Sequence, residues 1–404
     1  MSSERLPLAK RVGFSLALLV LLLVALEAGA RFIYAVRAPL LVALGRSPRN
    51  MALSPYKIPD PRHPGFWMHR PDFSMTFAEV IDYKRSLGRF VGLESLETTA
   101  ARYGIRPDDV VFTINHEGFK GPPLDPSHAR PRIVALGDSC TAGTQIDRFT
   151  YSRSLERELA SRGVPAEVVN GGVEGYEPVD ILTRIDDFTA LRPEWTILYI
   201  GWNALSDEKE GRGFLERHWV TQRLARRLLV ALGPKHTLRE TALEAFTKPK
   251  HPVPDAPEVR ARDDYVPTFF GDVPKIVDAM QASGSRVVLV TLPGLYTTRE
   301  PPSPEALAEG HLPAYTDNPY VLAHMTERYN ELLRGLAAER GLPVIDLERW
   351  ADDALRPRHA WFVDSVHLTE EGQQRIGIFM AEQLAPLVGA QVQARASRDR
   401  SAMQ

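Results

Sequence analysis

The stretch RIVALGDSCTAGTQ, Arg132 to Gln145, decides how the rest of this chain is read. Its first residues alternate branched and small side chains, as a buried strand does, and then stop at Gly137-Asp138-Ser139-Cys140. Taken alone, Gly-Asp-Ser is a turn leading into a helix, since all three residue types favour turns. It is also where a strand in an α/β domain would deliver a nucleophilic serine. The choice depends on the residues at the ends of the other strands.

After Pro131 short branched runs alternate with helical segments. AEVVNGG (Ala166–Gly172), WTILYIG (Trp195–Gly201), RVVLVTL (Arg286–Leu292) and PVIDL (Pro343–Leu347) read as four further strands. Between them lie helical stretches from about Tyr151 to Arg162, from near Glu177, over VPKIVDAMQASG and over YNELLRGLAAERG, with a closing helix from about Glu370 to Val388. Near-continuous apolar strands separated by helices predict an α/β three-layer sandwich around a five-stranded parallel sheet. Residues 131–389 form that domain, interrupted by an insertion over 207–265. Within the insertion, Leu215, Trp219, Leu224, Leu228 and Leu232 recur at helical spacing with Arg217, Arg223, Arg226 and Arg227 among them. The pattern reads as an amphipathic helix with a solvated arginine face, or as a basic cap over a site or against acidic lipid or polysaccharide.

The remaining regions are of other kinds. Arg5, Lys10 and Arg11 precede VGFSLALLVLLLVAL, and apolar character resumes in RFIYAV. As one helix, Val12 to Val36 would be roughly 37 Å long, enough to cross a bilayer. Glu27 and Arg31 are four apart and would pair on one face. Residues 1–37 therefore read as a transmembrane signal anchor with the bulk of the chain exported, the alternative being a signal peptide cleaved after Ala28-Gly29-Ala30. Residues 38–130, proline-rich in SPYKIPDPRHPGFWMHRPDF, read as an extended juxtamembrane connector packed on the main domain. Its end, VVFTINHEGFKGPPLD, reads as one short strand and a glycine-punctuated turn. Residues 390–404 are polar and read as a disordered tail.

Composition excludes some functions. The 49 basic and 51 acidic residues give a formal charge of −2, so no global basic field recruits nucleic acid. The lone Cys140 rules out an internal disulfide and a multi-cysteine metal cluster. His116-Glu117-Gly118 lacks the second histidine of a zinc-protease helix, and no metal or cofactor is expected.

A serine nucleophile needs an imidazole base, a group that fixes the imidazole, and donors for the oxyanion. Each is offered after another strand or ahead of the closing helix. NGGVEGYEP brings Gly175, whose backbone is bare. GWNAL brings the Asn203 amide. WFVDSVHLTEEG brings Asp364 and His367. In an open α/β sheet the carboxyl edge of the strands is where sites form. Each motif alone has an ordinary structural explanation as a turn or polar loop. Together, and in this order, they favour one site.

These four blocks resemble the SGNH (GDSL-type) hydrolase family over roughly Arg132 to Val388, and FTINHEGFKG is similar to a lead-in of its membrane-anchored bacterial members. The resemblance implies a flavodoxin-like fold with Ser139 as nucleophile, His367 as general base and acid, and Asp364 orienting His367. It also implies an oxyanion hole from the backbone N–H groups of Ser139 and Gly175 and the Asn203 side chain. Two positions depart from the family pattern. Ala204 replaces an aspartate common in the third block, which implies altered local hydrogen bonding. Cys140 stands where a bulky apolar residue is usual and reads as packing rather than as a second nucleophile. The expected activity is an exported esterase acting on an ester-bearing envelope or extracellular carbohydrate or lipid, attached to the membrane by its amino-terminal helix. Alternatives are an O-acyltransferase to polysaccharide using the same residues, a non-catalytic carbohydrate-binding or assembly protein, and a flavodoxin-like domain with coincidental motifs.

Overall fold

In the computed structural model, residues 7–43, 54–63, 66–86, 92–206 and 248–402 are described. The chain divides into two compact units. The first comprises Met1–Ala52, Pro59–Trp67 and Lys209–His236, and the second Leu53–Ile58, Met68–Glu208 and Thr237–Gln404. In the first unit, helix α1 runs Leu8–Ala43, so the boundary expected at Arg37 falls inside it. Ala38-Pro39-Leu40-Leu41 continues the helix, and a single arginine does not stop one. Its stretch Gly13–Ile33 is long and apolar enough to cross a membrane, a test that signal sequences near an amino terminus also pass. Arg31 Nε donates to Glu27 Oε1 at 2.8 Å, the pairing their spacing predicts. The arginine-bearing helix expected in the insertion lies outside the described residues.

The second unit begins with a region expected to be an extended connector, and it is more ordered than that. Strands β1 (Phe73–Thr76) and β2 (Val110–Ile114) pair antiparallel, and between them lie helices α2 (Phe77–Ser86) and α3 (Leu93–Tyr103). The prolines cluster before Phe73, which leaves the later residues free to form helices. Tyr56, Met75, Val80, Leu96, Phe112 and Ile114 form one apolar cluster with Ile146 and Phe149 of the main domain.

The main sheet has five parallel strands: β3 (Arg132–Gly137), β4 (Glu167–Gly172), β5 (Trp195–Tyr199), β6 (Arg286–Val290) and β7 (Val344–Ile345). Their spatial order is β4-β3-β5-β6-β7. Every residue of β3, β4 and β5 is buried, the signature of a sheet covered on both faces and the reason these runs lack polar alternation. The crossovers carry α5 (Tyr151–Ser161), α6 (Pro178–Thr183), α7 (Ile185–Thr189), α9 (Asp272–Ala282) and α10 (Pro319–Arg340). Two one-turn helices, α4 (Ser139–Ala142) and α8 (Trp202–Ser206), start just after β3 and β5 respectively. Helix α11 is Leu347–Ala354, and α12 begins at Glu370.

Helix α12 continues to Ala402, which corrects the expected disordered tail at 390–404. Ala, Gln and Arg dominate AQVQARASRDR, and all three are good helix formers, so polarity there is compatible with a continuing helix. The order of the sheet places the chain reversal at β3, with β4 on one side and β5 on the other. Ser139 comes directly after that central strand.

Candidate active site

Glycine at 137 is required by crowding. A Cβ there would sit 2.1 Å from both the Thr141 hydroxyl and the Tyr199 carbonyl, so only glycine lets β3 run into α4 against β5. Asp138 caps the turn: its Oδ1 accepts the Cys140 N–H at 2.9 Å. Its Oδ2 accepts the N–H groups of Gly201 at 3.4 Å and Trp202 at 3.2 Å. One buried carboxylate thus ties the Ser139 turn to the start of the helix that carries Asn203. Burial raises the Asp138 pKa, with those N–H groups and His367 opposing the rise.

Ser139 is half-buried between the buried Asp138 and Cys140. Its Oγ lies 2.7 Å from His367 Nε2, and His367 Nδ1 lies 2.8 Å from Asp364 Oδ2. With Nδ1–H donating to the carboxylate, Nε2 is left to accept the serine hydroxyl. The loop that delivers these groups closes on itself. Asp364 Oδ1 accepts the N–H groups of Val366 at 2.9 Å and His367 at 2.8 Å, and Val363 N–H donates to the His367 carbonyl at 2.9 Å. That is why an aspartate three residues before a histidine works here: the carboxylate shapes the turn and still has an oxygen for the ring.

Burial opposes the charged form of His367, but the Asp364 carboxylate outweighs it, so the imidazole pKa lies above its ordinary value. Burial would raise Asp364 as well. His367, its backbone N–H and the more distant His311 instead hold the carboxyl well below the usual carboxylate range. For Cys140, burial pushes the thiol far above its usual range, and its Sγ donates to the Val366 carbonyl at 3.4 Å. A buried thiol held in that state is a poor nucleophile.

The Gly175 turn comes after β4. Val173 N–H donates to the Gly137 carbonyl at 3.1 Å, and Tyr176 N–H donates back to the Val173 carbonyl at 3.1 Å. Gly175 has φ of +85°, the conformation of the third residue in a type II turn. Asn203 Nδ2 donates to the Tyr176 carbonyl at 3.1 Å, so Asn203 and the Gly175 turn meet. An amide nitrogen carries two hydrogens, and one remains beyond that bond. Among the described residues, neither the Ser139 nor the Gly175 backbone N–H has a hydrogen-bond acceptor. Ala204, where the family pattern often has an aspartate, is buried.

Several participants carry no signal in the sequence. Asp138 stands inside the Gly-Asp-Ser motif but has the look of a turn former only. His311 brings Nδ1 to 4.0 Å from Asp364 Oδ2, and Ser365 Oγ accepts the His311 N–H at 2.8 Å. No spacing rule links residue 311 to 364. Lys120, in the FTINHEGFKG lead-in, is buried, and its ammonium donates to the carbonyls of Ala142, at 3.0 Å, and of Thr144, just beyond α4. Of the other histidines, His116 pairs with Asp72 and His251 with Asp317 on the surface. No group of three or more His, Cys, Asp or Glu among the described residues is arranged to hold a metal.

The family profile described as GDSL-like lipase/acylhydrolase matches residues 135–375, more than half of the chain, including Ser139, Gly175, Asn203, Asp364 and His367. The chain belongs to that family. This GDSL-family chain is accordingly an ester-hydrolysing enzyme with the α/β fold of the SGNH group. Among solved structures it is similar to a lipase/acylhydrolase from Enterococcus faecalis, at 15% identity and TM-score 0.37, over 63% of this chain and 96% of that one. It is also similar to a catalytic mutant of Axe2, an acetylxylan esterase from Geobacillus stearothermophilus, at 14% identity and TM-score 0.39, over 64% and 94%. No curated relative matches the sequence.

Proposed function

We propose that this GDSL-family enzyme is an exported, membrane-tethered serine esterase working through an acyl-enzyme on Ser139. The observation that carries the reading is the unbroken line from Ser139 Oγ to His367 Nε2 at 2.7 Å and from His367 Nδ1 to Asp364 at 2.8 Å. His367 takes the hydroxyl proton as Ser139 attacks the ester carbonyl. The negative charge that develops on the carbonyl oxygen is met by the N–H groups of Ser139 and Gly175 and the second hydrogen of the Asn203 amide. The tetrahedral intermediate collapses, and His367 returns the proton to the departing alcohol. Water, deprotonated by the same histidine, then attacks the acyl carbonyl and frees Ser139. Asp364 holds the ring in the tautomer that both half-reactions need and stabilises the imidazolium.

Helix α1 serves in this reading as an uncleaved anchor that keeps the domain 131–389 on the outer side of the membrane. The substrate is then an acylated carbohydrate or lipid of the envelope or extracellular space. The test is to treat the full chain in detergent with a fluorophosphonate probe and a short-chain aryl ester. Labelling and turnover that vanish together in Ser139→Ala are expected. Turnover that persists in Ser139→Ala would overturn the assignment of the nucleophile.

A further inference from the structure

The turn that presents Gly175 is held from a part of the chain outside the family match. Lys57 Nζ donates to the Glu174 carbonyl at 3.1 Å and also lies 3.3 Å from the Glu174 carboxylate. His69 Nε2 lies 3.1 Å from the same carboxylate. His69 is almost wholly buried, at 1% exposure, and its ring packs edge-on to Tyr56 at 5.9 Å. Burial would raise the Glu174 carboxyl, but Lys57, His69 and Lys120 together hold it well below its usual range. A cation, an imidazole and a carboxylate are thus locked together one residue before the proposed oxyanion glycine.

The atom that Lys57 grips gives the contact its meaning. The Glu174 carbonyl and the Gly175 N–H belong to one peptide plane, and in a trans peptide they point in opposite directions. In the turn Val173–Tyr176 this is the central peptide. Type I and type II turns differ by which way that peptide faces. With Gly175 at +85° the turn has the type II sense, and the Lys57 ammonium on the carbonyl side fixes the direction of the N–H on the other. A cation on the carbonyl also polarises the same amide and makes its N–H a stronger donor.

We infer that Lys57 is a positioning residue for the oxyanion hole, held in place by Glu174 and His69, so that residues before the family domain complete its active site. This rests on the esterase reading above. It gives the segment around SPYKIPDPRHPGFW a part in turnover rather than the part of a spacer.

The test uses the full chain in detergent, with active sites counted by exhaustive fluorophosphonate labelling and rates expressed per labelled site. Lys57→Met keeps the length of the side chain but removes the charge and the donor. The expected result is full labelling, KM within about twofold, and kcat lower by about tenfold, bounded by the roughly hundredfold loss of a whole oxyanion donor. Lys57→Arg should recover most of the rate, which a merely packing role would not require. If Lys57→Met does not fold, Glu174→Gln is read the same way. It leaves the backbone carbonyl but releases the ammonium from its counter-ion, and kcat should fall about threefold, a fraction of the full donor loss. An unchanged kcat in the folded variant, or a loss confined to KM or to the number of labelled sites, would overturn the inference while leaving the esterase intact. A wild-type chain that neither labels nor turns over would overturn the esterase reading and this one with it.

Discussion

Ser139 and Gly175 come after neighbouring strands, β3 and β4, yet different parts of the chain hold them. The Ser139 turn is fixed mainly from within the family-matched region: Asp138 caps it, and Gln373 of α12 donates to the Cys140 carbonyl at 3.3 Å, while Lys120 from before that region holds the Ala142 carbonyl at the end of α4. His367 reaches it from a loop closed by its own aspartate. The Gly175 turn also has anchors of that kind, the Val173 N–H on the Gly137 carbonyl and the Asn203 amide on the Tyr176 carbonyl. The Glu174 carbonyl and carboxylate within that turn are gripped by Lys57 and His69, roughly a hundred residues earlier in the chain. In the proposed mechanism the nucleophile therefore rests mainly on the family domain, whereas the oxyanion turn is also gripped on its central peptide by a segment that no motif announces.

That contrast can be broken at the nucleophile side first. His367→Ala should lower kcat by about 10⁴-fold or more, and adding Ser139→Ala should cost little further, because residues acting as one unit are not additive. Steady-state rates of the two single variants and the double variant check this. Multiplicative losses would mean that Ser139 and His367 work separately.

The oxyanion side should respond less. Removing the Asn203 amide in Asn203→Ala should cost about hundredfold in kcat, or about 3 kcal/mol of transition-state stabilisation, with KM little changed. The same change deletes the bond to the Tyr176 carbonyl, so coupling to Lys57→Met is expected. A double-mutant cycle in which the two losses simply multiply would separate Asn203 from the Gly175 turn.

The smallest effect is in pH. A protonated His367 cannot accept the Ser139 proton, and the Asp364 carboxylate favours the protonated ring. Activity is therefore lost as pH falls through a raised imidazole pKa. The acid limb of kcat/KM should have its inflection above about 6.5, the ordinary histidine value. Lys57→Met should leave that inflection in place, since Lys57 touches the oxyanion turn and not the imidazole.

The same contrast explains what could be read from the sequence. Five strands are legible because buried parallel strands are continuous apolar runs, and Ile133, Val134, Ala135 and Leu136 are wholly inaccessible. Ser139, Asp364 and His367 are legible because their spacing relative to strands and to the closing helix is local. The order β4-β3-β5-β6-β7 and the contact of Asn203 with Tyr176 depend on tertiary packing and are not. Lys57 sits in a stretch whose prolines argue for a passive connector. Nothing in KIPD states that the lysine reaches residue 174. Asp138 is in plain view, but three N–H groups converging on one carboxylate are visible only once β3 and β5 lie side by side.

The central claim is that an acyl group passes through Ser139. The most direct measurement is to mix the full chain with an aryl acetate, quench in acid before the first turnover is complete, and map the adduct by peptide mass. An acetyl group on the peptide containing Ser139, absent from Ser139→Ala, is the predicted result. Burst turnover with no adduct on that peptide, or an adduct on another side chain, would contradict it.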